Sequence, residues 1–395
     1  MIPLALYLIS VPLISAHPVG AKVSQGLGMI AGIAFASNAI LRRRIVRIPP
    51  ELIAFGIFVG YSFIGGFVAV NMATFVARQF TLVQLWFLVV MIFDVFYVHQ
   101  FGTERMFRIL LLGIIGAAVI GLLSWEPGTG RLGGTLVNPN GFGAAMLLGL
   151  GLILLLPVRP GLLHPALVAI LSAGLTVAVT LSGSRKAMLG SLALLCVYGM
   201  PTVFRNARHP LRLIGLVVIV LLGSLAVFRW FETTPYWSRI ENLFQFMQGE
   251  SVREGSVYER AAMMVAGIEV WKENPVIGVG TDQFRYHAGA FGIRETYSHS
   301  NPIEVLANFG LVGALLYYGA YGALSWRLAS VIRRCWSFRE LRYRLLFLTA
   351  FWIIWVVLEV ARVTYYSKIH WIAFAMVLTT SAHLERRMSS SVRCH

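Results

Sequence analysis

His299 is followed by Ser300 and, nine residues later, by Gly310-Leu311-Val312-Gly313, where a long polar stretch gives way to apolar sequence again. A histidine at such a boundary can take a proton from a hydroxyl, because imidazole is the side chain whose proton affinity lies nearest neutrality. Two arginines stand near the same boundary: Arg185 in Leu181-Ser182-Gly183-Ser184-Arg185-Lys186, at the end of an apolar run, and Arg260 directly after Glu259 in the polar stretch. A guanidinium keeps its charge and offers a planar fork of donors that matches phosphate oxygens. Two of them beside a histidine would suit a diphosphate leaving group and a base for an incoming hydroxyl. Each residue has a plainer reading too. Arg185 with Lys186 can anchor a helix end by snorkelling, and a lone histidine can be structural. Spacing alone leaves both readings open.

The elements that must hold these residues are membrane helices. Of the 395 residues 57% are hydrophobic and only 13% charged, with a mean hydropathy of +0.74. That is more apolar surface than a soluble fold can bury. A span needs about 20 apolar residues to cross roughly 30 Å of hydrocarbon. Stretches of that kind recur at 3–16, 23–41, 51–70, 80–98, 107–124, 141–157, 163–181, 187–204, 211–228, 302–326, 345–362 and 366–382. The expected fold is therefore an all-α integral membrane protein of about twelve spans, one polytopic domain over 1–395, with a large loop over 229–301 between the ninth and tenth. Transmembrane strands are excluded, being about 10 residues long and alternating in polarity. Glycines such as Gly113, Gly116, Gly121, Gly143, Gly149 and Gly151 fall within spans and read as close-packing positions.

The net charge of +16 is topology rather than a nucleic-acid footprint. Numbered by alternation, one side collects Arg42, Arg43, Arg44 and Arg47, then Arg105 with Arg108, Arg333 with Arg334, and Arg386 with Arg387. Such clusters in short loops mark the cytoplasmic side, which puts both termini in the cytoplasm and the large loop outside. Cys196, Cys335 and Cys394 all fall in spans or on the cytoplasmic side, so no disulfide is expected. Met1-Ile2-Pro3-Leu4 lacks a basic leader, and the first apolar run reads as a retained helix rather than a signal peptide. Within the loop, Tyr258, Ala262, Val265 and Ile268 give an amphipathic helix over 256–272, stopped by Asn274-Pro275.

The run from His299 to Gly313 resembles the signature of the O-antigen ligases: histidine, then Asn, Ser or Gln, nine residues, Gly, two residues, and Gly, Thr or Tyr. Asn138-Pro139-Asn140-Gly141, Ser182-Gly183-Ser184-Arg185, Tyr258-Glu259-Arg260, Asn274-Pro275, Gly278-Val279-Gly280 and Tyr365-Tyr366-Ser367-Lys368 are similar to segments of the O-antigen ligase and polymerase superfamily, in the same order. The resemblance implies a GT-C-like, metal-independent glycosyltransferase without a cofactor, in the bacterial inner membrane with its site facing the periplasm. Its donor would be a glycan on undecaprenyl pyrophosphate and its acceptor lipid A–core or another glycan, with inversion at the anomeric carbon. It implies His299 as base and Arg185 and Arg260 on the donor pyrophosphate, with Ser300, Asn301, Glu259, Gly310 and Gly313 in support. The sequence departs from the pattern in carrying Ser300-Asn301 where Asn directly after the histidine is common, which leaves ligase and polymerase both open. A transporter is the competing class: Asp94, and Glu359 with Arg362, place charges within spans, although Glu359 and Arg362 are one turn apart and could form a local pair.

Overall fold

The computed structural model describes residues 2–14, 18–43, 46–98, 102–126, 130–136, 138–156, 165–206, 256–336 and 339–392. The expected ninth span and the first part of the large loop, through 255, lie outside these. The described residues are helical without strands. In order they are α1 (Ile2–Ile14), α2 (Pro18–Leu41), α3 (Pro50–Ser62), α4 (Met72–Phe93), α5 (Thr103–Leu123), α6 (Pro139–Leu155), α7 (Pro165–Leu181), α8 (Arg185–Asn206), α9 (Ser256–Glu273), the single turn α10 (Phe284–His287), α11 (Asn301–Cys335), α12 (Arg339–Glu359) and α13 (Lys368–Val392).

Six of these helices, with their flanking turns, are long and apolar enough to cross a membrane: α2, α3, α4, α5, α11 and α12. α1, α6 and α7 are apolar but shorter. By length and composition alone, then, six helices qualify among the described residues, where about twelve spans are expected of the whole chain. α6 and α7 have 17 residues each, and α13 spends its second half on Ser, Thr, Glu385, Arg386 and Arg387.

Local chemistry sets the helix starts. Asn71 accepts from Thr74 N at 3.0 Å to cap α4, and Asn138 accepts from Asn140 N and Gly141 N to cap α6, with Pro139 in the first turn. The Asn-Pro-Asn-Gly run is thus a helix start. α6 is buried on every side from Gly141 to Leu155 and forms the axis against which α5, α7, α8 and α12 pack. The middle of α13 is equally enclosed, and Trp371 stacks on Phe55 of α3 with ring centroids 3.6 Å apart.

Polar contacts tie the helices together at both ends of the bundle. At one end Arg327 bridges Glu51 (2.6 Å) and Glu385 (2.8 Å), joining α11, α3 and α13. At the other lie the loops 62–72, 130–138, 182–184, 274–300 and 360–367, and the candidate site is built from them.

Candidate active site

The site begins with a broken helix. Gly310 in α11 has φ 64° and ψ −170°, a conformation open only to glycine. The break releases the carbonyls of Ala307, Asn308 and Phe309, which an unbroken helix would pair with residues 311 to 313. The loop after α9 takes over those bonds. Val279 N donates to Ala307 O (3.0 Å) and Gly280 N to Asn308 O (2.8 Å), while Leu311 N and Val312 N donate to Pro275 O and Val276 O. The hydroxyl of Tyr61 from α3 donates to Phe309 O at 3.1 Å. A Cβ on Gly310 would collide with the backbone of Val276, one on Gly278 with that of Asn308 and Phe309, and one on Gly313 with Phe309 and the Tyr61 ring. The motif glycines are therefore steric requirements of this junction. Gly278-Val279-Gly280 belongs to it as well.

The residues between the histidine and the break lock the loops in place. Asn308 Oδ1 accepts from Gln283 N and Phe284 N, and its Nδ2 donates to Glu304 Oε1. Glu304, fully enclosed, accepts from Ser298 N at 2.6 Å, and Ser298 Oγ donates to Ser300 O. Asn301 Oδ1 accepts from Thr364 N (2.8 Å) and Tyr365 N (2.9 Å), and its Nδ2 donates to Tyr317 and Tyr318. Between these ties His299 is held at φ 61°, in the left-handed region that costs a non-glycine residue about 1–3 kcal/mol.

His299 is half-buried, its ring 4.4 Å from that of Tyr297. Burial, and then the charges of Arg260, Lys186 and Arg294, push its pKa down from 6.5 to about 4. The imidazole is thus neutral at pH 7 and able to accept a proton. Arg260 comes from α9, and Arg185 and Lys186 open α8. Arg260, Arg362 and Arg185 all act on Lys186 as like charges. Lys186 Nζ donates to Ala361 O, and Arg362 Nη1 to Asn140 O at 3.5 Å. Lys186 and Arg362 line one small cavity with Asn140, Ser184 and Thr364. Arg131 braces its rim, donating to Ser182 O and Asn140 Oδ1, both at 2.8 Å. The like charges on Lys186, Arg260 and Arg362 repel one another, and a bound anion with several charges relieves that repulsion.

Residues 165–318 match the O-antigen ligase family. That match, over somewhat more than a third of the chain, supports the resemblance to the O-antigen ligase superfamily. Members of this superfamily are membrane glycosyltransferase-like enzymes, ligases or polymerases, and the long apolar helices of this chain fit a multi-pass membrane protein. Among curated proteins, none matches it. The matched stretch contains Arg185, Arg260, His299, Gly310 and Gly313, but neither Arg78 nor Arg362.

The residues singled out from the sequence fall into distinct places. His299 and Arg260 lie within electrostatic reach of each other, and Arg185 reaches the cluster through Lys186. Ser300 and Asn301 are buried in the loop ties, and Gly310 and Gly313 form the junction. Glu259 stands apart: it is exposed and 3.8 Å from the equally exposed Arg294, a solvated pair of little consequence. A local Glu359–Arg362 pair does not form. Glu359 instead accepts from Tyr321 (2.6 Å) and Thr364 (2.7 Å) and lies 2.9 Å from His370 Nε2. A carboxylate buried to that degree needs several donors close around it, which leaves Arg362 to turn toward Asn140.

Sequence reasoning passed over Lys186 as a ligand, Arg362 as part of the site, and Arg78 with Asp282 altogether. Asp282, itself at φ 60° and 1% exposed, accepts from Arg78 (Nη2, 2.7 Å) on one oxygen and from Arg285 (Nη2, 2.7 Å) on the other. Arg78 also stacks 3.9 Å over the ring of Tyr366. The adjacent carboxylate raises the Arg285 pKa against the opposing effect of burial. No local signal marks this clamp, because α4 and the loop lie 204 residues apart. Asp282→Ala leaves two partly buried guanidiniums without their acid and is expected to destabilise the protein by about 2–3 kcal/mol. Thermal unfolding in detergent measures this, with Asp282→Asn losing less because it keeps the acceptor oxygen.

Proposed function

We propose that the protein is an O-antigen ligase-like glycosyltransferase that moves a glycan from undecaprenyl pyrophosphate to a hydroxyl of lipid A–core. The observation that carries this reading is a neutral imidazole held in strained backbone beside Arg260, Lys186 and Arg294. Donor phosphates bind Arg185, Arg260, Lys186 and Arg362. His299 takes the proton of the acceptor hydroxyl as its oxygen attacks the anomeric carbon from the face opposite the diphosphate. The bond from that carbon to the phosphate oxygen breaks with inversion, and the charge left on the diphosphate rests on the arginines and lysine. These side chains supply the counter-charge for the leaving group, so the reading is metal-independent and uses no cofactor. The reaction takes place at the periplasmic face of the inner membrane, with both termini and the Arg105–Arg108, Arg333–Arg334 and Arg386–Arg387 clusters on the cytoplasmic side.

A polymerase would use the same donor and the same base, with a second lipid-linked glycan as acceptor. Against the transporter reading, Glu359 is tied to Tyr321, Thr364 and His370 in a network that braces the loop 360–367. The deciding experiment is transfer by purified, reconstituted protein offered the undecaprenyl-pyrophosphate glycan with and without lipid A–core. One shifted lipid A–core product is the expected result. Ladders on the donor lipid in the absence of lipid A–core would replace the ligase by a polymerase, and transfer to neither would overturn both.

A further inference from the structure

A second cleft, separate from the His299 site, lies on the flank of the bundle between α2, α4 and the start of α13. Its walls are the interiors of these helices: Gly28, Gly32 and Ile33 on α2, and Phe87 and Met91 on α4. α2 is the least enclosed of the membrane-crossing helices, and Ile33 is 65% exposed. In a bilayer this cleft therefore opens sideways to lipid.

Lys368 lines the same cleft and is partly buried. Its neighbours Ser367, Ile369 and His370 line the cavity that holds Lys186 and Arg362, so Lys368 stands on the opposite flank of the α13 start. Among the described residues no charged group acts on Lys368, and none gives it a hydrogen bond or ion pair. An ammonium among helix interiors without a counter-charge is unfavourable, and such residues mark sites that take a ligand. The surroundings say which kind: an apolar groove open to hydrocarbon ends at one cation, with the exposed amides of Gln25 and Gln84 on its walls.

We infer that this cleft binds an anionic phospholipid of the surrounding bilayer, its phosphate on Lys368 Nζ and an acyl chain in the groove between α2 and α4. The charge of Lys368 selects for an anionic headgroup over a zwitterionic one, and the groove selects for a chain over a free phosphate. The site is independent of the transfer chemistry and stands or falls without it.

The test is native mass spectrometry of the whole protein released from nanodiscs of equimolar phosphatidylglycerol and phosphatidylcholine. Wild type is expected to retain phosphatidylglycerol preferentially. Lys368→Gln reduces that preference by about fivefold, the usual worth of one basic residue at an anionic lipid surface. Lys22→Gln, removing an exposed cation of α2, keeps it. Ile33→Trp fills the groove from its lipid side with every charge in place, and lowers retention of both lipids. It therefore tests the groove even where Lys368→Gln yields no folded protein. Equal retention of the two lipids by wild type, an unchanged preference in Lys368→Gln, or retention that survives Ile33→Trp would each overturn the inference. Displacement of phosphatidylglycerol, one for one, by added undecaprenyl phosphate would overturn the assignment to a phospholipid.

Discussion

Replacing His299 by alanine lowers glycan transfer by about a hundred- to ten-thousand-fold, the usual worth of a positioned general base, while helicity and unfolding temperature stay near those of wild type. The pH profile separates this role from a structural one. Neutral imidazole is the active form, so activity is present above the His299 pKa and is lost as pH falls through it. Burial and neighbouring cations put that pKa at about 4 in the free enzyme, so the acid limb of kcat/KM lies well below the 6.5 of an ordinary histidine. Bound diphosphate brings negative charge to the same cations and favours imidazolium again. The acid limb of kcat, which reports the substrate complex, therefore lies above that of kcat/KM. Arg260→Gln removes one repelling charge and moves the kcat/KM limb upward. A wild-type kcat/KM limb near 6.5, unmoved by Arg260→Gln, would show that these cations do not act on His299.

Gly310→Ala is expected to cost about 5–7 kcal/mol, as much as the whole stability of a marginal fold. The backbone conformation at φ 64° and ψ −170° contributes about 1–3 kcal/mol once a Cβ is present. The new Cβ also collides with Val276, and only withdrawal of the 275–280 segment relieves this. Withdrawal breaks four backbone hydrogen bonds, from Val279, Gly280, Leu311 and Val312, each worth about 1 kcal/mol. Gly319, further along α11, has open space at its Cβ position, so Gly319→Ala leaves stability unchanged or slightly raised. Yield and thermal unfolding of the purified variants in detergent give the comparison. Equal stability of the two variants would mean that the junction does not hold the loop.

The helices were legible because apolar runs and caps are local properties. Asn138-Pro139 starts α6 and Asn274-Pro275 follows the end of α9 for reasons contained within a few residues. The expected helix over 256–272 is α9 almost to the residue. Length and composition separate the described helices less clearly, since α6 and the middle of α13 are enclosed by packing yet fall outside the six long apolar helices. His299, Arg185 and Arg260 stood out because charge and imidazole are scarce in so apolar a chain. Arg362 was missed as part of the site because one turn of separation from Glu359 offered a local pair instead. The long-range donors Tyr321 and His370 had already claimed the carboxylate.

The sequence by itself determined that this is a chain of long apolar helices, that the run from His299 to Gly313 resembles the O-antigen ligase motif, and which histidine ends its large loop. The tertiary structure alone decided what the motif glycines are for, and that Lys186 and Arg362 share one cavity near that histidine. The physical reason is the same in both cases. A helix broken at Gly310 exposes carbonyls that some other segment must satisfy, and a cationic site exists only where separate loops bring like charges together. Both conditions are contacts between residues some 30 to 200 positions apart, and no local pattern encodes them.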